Sequence, residues 1–119
     1  MMLHVVLFTP RPDLADDQRA RLQEALVGAL SSIGTIARYR VGRRVLLGTA
    51  YDAMVRDDYA YCAIVEFEDR DGLHAYLAHP AHEAIGRLFY ETSERAAAYD
   101  YDAVDADPGT ALARWQQDE

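Results

Sequence analysis

Tyr59-Ala60-Tyr61-Cys62-Ala63-Ile64-Val65-Glu66-Phe67 decides the fold. Successive side chains of a strand point to opposite faces. Tyr59, Tyr61, Ala63, Val65 and Phe67 therefore share one face, and Ala60, Cys62, Ile64 and Glu66 share the other. Both sets are largely apolar and rich in β-formers, so the stretch reads as a strand covered on both sides. Leu3 to Phe8 reads the same way and ends at Thr9-Pro10-Arg11-Pro12, where prolines cannot continue a ladder.

Between these strands, Leu22, Ala25, Leu26, Ala29, Leu30 and Ile33 recur at three- and four-residue spacing. They form the apolar face of a helix predicted over Leu14 to Ser32, with Asp13 as its N-cap and Gly34 as its stop. Ile36 to Leu47 is expected to be a long strand in which Gly42 marks a bulge or a close approach. Gly48 to Asp58 is expected to be a loop, and Glu68 to Gly72 a polar turn.

Leu73 to Leu77 reads as a short helical piece. Pro80 suits the first position of the next helix, and the residue before a proline resists helical angles. His79 is thus the expected cap of a helix from Pro80 to about Ala97. Tyr99 to Val104 is the expected last strand. The order strand, helix, strand, strand, helix, strand is the α+β, ferredoxin-like arrangement of one antiparallel sheet with helices on one face. The apolar second face of that sheet predicts a second copy packed against it, a homodimer forming an α+β barrel. Residues 1–104 form the domain; residues 105–119 are an acidic tail or short helix in which Trp115 is expected to pack on something.

Composition narrows the function. The 119 residues carry a net charge of −8, which disfavours nucleic acid and anionic membranes as partners. No apolar run approaches the ~20 residues of a membrane span. The first ten residues lack a basic start and a small-residue cleavage site, so they read as structure and not as a signal peptide. Cys62 is the sole cysteine, which leaves no internal disulfide, reads as an inert core thiol and fits a reducing, cytoplasmic setting. All twelve basic residues are arginine, which removes Schiff-base chemistry through lysine.

The chemistry-bearing block is Tyr76-Leu77-Ala78-His79-Pro80-Ala81-His82. With Pro80 as the first helical residue, His82 is the third, in the turn whose free N–H groups disfavour imidazolium. A neutral imidazole there suits a general base, and the Tyr76 phenol suits a hydrogen-bond donor to a carbonyl. The structural alternative is that both histidines are caps and satisfied surface groups. The pair lacks the i, i+4 spacing of a helical zinc site and no cysteine is near, so no metal is expected. His4 lies inside an apolar strand beside Val6 and Phe8. Asp100 and Asp102 share one face of the last strand, where Asp100 could orient a histidine and Asp102 is expected to face solvent. His74 is expected on an exposed helix surface.

The stretches LHVVLF (3–8), AIVEFED (63–69), AYLAHPAH (75–82) and YDYDAV (99–104) together resemble the stress-responsive α/β-barrel (Dabb) family. The resemblance spans about residues 2 to 104, and the Tyr-x-x-His-Pro-x-His block is its most specific part. It implies the dimeric barrel. Through the plant polyketide cyclases of the olivetolic acid cyclase type, it also implies aldol cyclisation without metal or organic cofactor. On that resemblance Tyr76 and His82 match a catalytic tyrosine and histidine, and Asp100 an aspartate that supports the catalytic histidine. His4 matches a first-strand histidine. Tyr61 stands where the cyclase has a pocket histidine, so the plant substrate does not carry over. The resulting expectation is a cofactor-free cyclase or isomerase acting on a small, partly apolar, carbonyl-rich molecule. His82, Tyr76 and Asp100 are its catalytic residues, and His4, Tyr61 and His79 contact substrate. The alternatives are a non-catalytic stress-related binding or assembly protein, and oxygenase-like chemistry.

Overall fold

The computed structural model describes residues 1–118, with side chains as far as residue 114; the expected packing of Trp115 lies outside the described residues. Four strands, β1 (Met2–Pro10), β2 (Arg38–Arg43), β3 (Tyr61–Phe67) and β4 (Ser93–Asp102), form one antiparallel sheet in the order β2-β3-β1-β4. The main helices are α1 (Asp16–Ser32), α3 (Arg70–Ala78) and α4 (Pro80–Thr92); α2 (Ala50–Met54) and α5 (Pro108–Asp118) lie in the connection after β2 and after β4. This is the expected ferredoxin-like α+β fold.

The core sits between one sheet face and the helices. Phe67 is fully buried, and Val65, Ala29, Ile33, Leu73, Tyr76 and Ile85 pack with it. The face opposite carries Leu3, Val5, Leu7, Cys62, Ile64, Tyr99 and Tyr101, of which both tyrosines are more than half exposed. Cys62 is only half-buried there, not sealed in a core.

Several boundaries differ from the sequence reading, each for a physical reason. Helix α1 begins at Asp16 because Ala15 takes the cap position, where its N–H donates to the Gln18 side chain at 3.1 Å. Asp13 instead approaches Arg11 at 3.8 Å. At the other end Ile33, one residue before the expected stop, is the C-cap. Strand β2 stops at Arg43, and α2 fills part of the expected loop. Gly42 makes no bulge, and a Cβ there would meet Cys62 Sγ at 3.4 Å, an ordinary contact, so neither expected reason for a glycine holds. The expected polar turn at 68–72 is the start of α3, where the Asp69 carboxylate accepts from the Gly72 N–H at 2.8 Å.

The largest difference is at α4. The helix ends at Thr92, and residues 93–98 are already strand. Alanine is the best helix former, so Ala96-Ala97-Ala98 reads as helix locally. Pairing opposite Phe8, Leu7 and Val6 of β1 overrides that preference.

Candidate active site

The sheet register builds the site. His4 stands directly opposite Asp100 on β4 and Val65 on β3, so all three side chains lie on the helix-covered face. His4 is 5% exposed, and its Nδ1 lies 2.7 Å from Asp100 Oδ1. With a proton on Nδ1, the His4 ring donates to the Asp100 carboxylate and is held in place by it. The expectation that Asp100 orients His82 is therefore corrected: cross-strand register gives the carboxylate to His4. Asp102 is half-buried and not simply solvent-facing, whereas His74 is exposed.

Tyr76 comes from α3 and His82 from the first turn of α4. His79 ends one helix and caps the next: its Nδ1 accepts from the Ala81 N–H at 3.0 Å, and its carbonyl accepts from the His82 N–H at 2.9 Å. This tight junction turns Tyr76 and His82 toward the same point. Ring centroids lie 4.7 Å apart for Tyr76 and His82, 5.6 Å for His4 and Tyr76, and 6.0 Å for His4 and His82. Tyr76 also packs on Phe67 at 5.0 Å, which fixes its ring from behind.

These three rings lie together in the wall of a cavity of about 460 Å³ between sheet and helices. The walls are otherwise nearly all apolar: Val6, Ala63 and Val65 from the sheet, Leu26 and Leu30 from α1, Phe89 from α4. Ala96, Ala97 and Ala98 also line it; Ala96 and Ala98 face it, opposite Phe8 and Val6, and their small size keeps it open. Tyr39 and Tyr90 line it while remaining 51% and 89% exposed. A few polar groups converging in an apolar pocket is the usual composition of a small-molecule site.

Electrostatics separates the roles. Burial pushes the His82 imidazole below its ordinary range, and the neighbouring His4 adds to this; Leu77, Asp100 and Glu83 act weakly the other way. His82 is thus neutral at pH 7, a base with a free lone pair. Burial raises the Tyr76 phenol, which stays protonated and able to donate.

Of the sequence-predicted residues, His82, Tyr76, His4 and Asp100 come together. Tyr61 does not join them: it stacks on Phe8 at 5.5 Å and is not among the cavity residues. His79 is a cap and not a lining residue. His79→Ala is accordingly expected to cost about 0.5–2 kcal/mol in urea unfolding. A larger loss of ligand binding than of stability would assign His79 to the site instead. Gly86 and the alanines of β4 were missed. For Gly86 the available signal was helical spacing, since residues 82, 86 and 90 share a face.

The stress responsive A/B barrel domain model matches residues 2–103. Among solved structures, the chain is similar to a dimeric ferredoxin-like protein of unknown function from Thermobifida fusca, at 20% identity and a TM-score of 0.65, over 86% of this chain and 90% of that one. It is similar to a hydroxynitrile lyase from Passiflora edulis at 15% identity and a TM-score of 0.72, over 90% and 96%. It is also similar to SnoaB, a cofactor-independent oxygenase from Streptomyces nogalater seen as a mutant, at 17% identity and a TM-score of 0.63, over 90% and 96%. At these identities the shared property is the fold. Comparison with curated proteins gave no match. With the family model covering nearly the whole sheet-and-helix unit, the chain belongs to the stress responsive A/B barrel domain family.

Proposed function

We propose that this protein is an acid–base catalyst that removes a proton next to a carbonyl group of a small, mostly apolar molecule. The observation that carries this reading is the convergence of a neutral His82 and a protonated Tyr76 in the wall of an apolar cavity. A His82 ring nitrogen takes the proton, and the C–H electron pair moves into the carbonyl to give an enolate. The Tyr76 O–H donates to the oxygen as charge develops there. His4, oriented by Asp100, is a second acid–base group in the same wall. The enolate can then attack a second carbonyl, as in an aldol cyclisation, or be reprotonated, as in an isomerisation. None of these steps calls on a metal or an organic cofactor. The neighbours named as a lyase and a cofactor-independent oxygenase are consistent with such chemistry in this fold.

We also propose that the protein works as a homodimer, sheet against sheet. The apolar face carrying Val5 and Ile64 needs a cover, and the Thermobifida fusca neighbour is dimeric.

A thermal-shift screen with phenolic and β-diketone compounds tests the site. A binder is expected to raise the Tm of the wild type, and Tyr76→Phe is expected to weaken its binding about tenfold. This variant keeps the ring packed on Phe67 and removes only the donor, a loss of about 1.5 kcal/mol. A compound that binds wild type, Tyr76→Phe and His82→Ala equally well argues that the site lies elsewhere.

A further inference from the structure

The connection between β2 and β3, residues 44–58, is built inside out. Its polar groups bond to one another and, through Asp58, to the rest of the domain. Arg44 lies 2.9 Å from Asp58 and 3.8 Å from Asp52. The Asp52 carboxylate accepts from the Leu47 and Thr49 N–H groups. The Asp58 carbonyl accepts from the Thr9 hydroxyl and the Arg95 guanidinium. Gly48, with φ +73°, allows the turn into α2. Its large apolar side chains meanwhile point into solvent: Val45, Leu46, Leu47, Tyr51 and Met54 are all at least 65% exposed, Met54 80%. A solvated loop has the opposite arrangement. Contiguous exposed apolar surface on an ordered element marks an interaction site.

We infer that residues 44–58 form an arm that grips a second copy of this chain and extends the sheet-against-sheet interface. The inference rests on the homodimer proposed above. Continuity of surface favours that occupant: Leu7 and Cys62 of the open sheet face line one cleft together with Val55 and Arg56 of the arm. The arm therefore borders the open face directly, across a cleft that also holds Arg43, Arg44 and Asp57. A two-fold dimer buries the same patch on both copies, so the arm contact occurs twice, once from each copy. An anionic lipid surface fits poorly, because Asp52, Asp57 and Asp58 lie in the arm and the chain is −8 overall.

Sedimentation equilibrium of the full chain over a dilution series tests this. Three proteins are compared: wild type, the double variant Leu46→Asp/Met54→Asp, and Val5→Arg at the centre of the open face. Wild type is expected to be a dimer. The arm variant is expected to weaken it about tenfold or more, since two apolar side chains lose their cover. Val5→Arg is expected to be monomeric. Far-UV circular dichroism verifies folding, and Leu46→Ser/Met54→Ser serves as the milder arm variant should the charged one misfold. An arm variant that dimerises like wild type while Val5→Arg is monomeric overturns the arm and leaves the dimer standing. A Val5→Arg protein that stays dimeric overturns sheet-against-sheet packing. A wild type that is monomeric at all concentrations overturns both.

Discussion

Replacing His82 by alanine is expected to lower proton abstraction by roughly 10²–10⁴-fold, the usual contribution of a positioned general base. The physiological substrate need not be known to measure this. An aryl methyl ketone fits the cavity's chemistry, and exchange of its methyl protons with deuterium from solvent reports the abstraction step by NMR. The wild-type rate should also follow the ionisation of His82. The base works only when neutral, and its pKa lies below the ordinary 6.5 because burial and His4 both disfavour imidazolium. Exchange should therefore fall on the acid side with a midpoint below pH 6.5. His82→Ala should remove that acid limb along with the rate. A wild-type limb centred above 6.5, or full exchange in His82→Ala, would falsify the assignment of His82 as the base.

The same shift has a consequence for stability. A histidine whose folded pKa is depressed takes up a proton more readily in the unfolded chain. Its penalty is absent above 6.5, grows as pH falls through 6.5, and is complete once pH drops below the folded pKa. Wild type should lose more Tm than His82→Ala over that acid window. The two readouts come from one ionisation and should move together.

Legibility in the sequence divides along a physical line. The strands β1 and β3 were readable because their signal is local: a short run of β-formers, apolar on both faces and ended by proline or a polar cluster. The junction at Pro80 was readable for the same reason, since proline geometry acts within one residue, and His79 caps α4 as expected. The end of α4 was not readable, because the alanines of β4 take their conformation from pairing with β1, ninety residues away in the chain. That miss also concealed the cavity, whose wall those alanines form. The partner of Asp100 was hidden likewise. Only the β1–β4 register brings the carboxylate opposite His4, and nothing near residue 100 specifies it. Tyr61 shows the converse. Its strand face was read correctly, yet position along the strand places it beside Phe8, away from the three-ring cluster.

Gly86→Phe is expected to separate folding from binding. Gly86 lies one helical turn after His82 on the cavity-facing side of α4, and a Cβ there meets nothing within 4 Å. Glycine is the poorest helix former after proline, so a side chain at this position should raise stability by about 0.5 kcal/mol, and Gly86→Ala by about 1 kcal/mol. A phenylalanine ring can enter the cavity without displacing backbone. It would then cover some of the apolar wall a ligand needs, on the order of 150 Å², equivalent to about 4 kcal/mol or a roughly thousandfold loss of affinity. Calorimetric titration of any compound found by thermal shift measures this directly. Gly86→Ala, with one added methyl, should keep most of the affinity while gaining stability, so the two variants move stability in the same direction and binding by very different amounts. A Gly86→Phe protein that is stable and still binds the compound at wild-type affinity would place the ligand outside this cavity. That result would also detach His82 and Tyr76 from any role in recognising it, because both face the space the ring would fill.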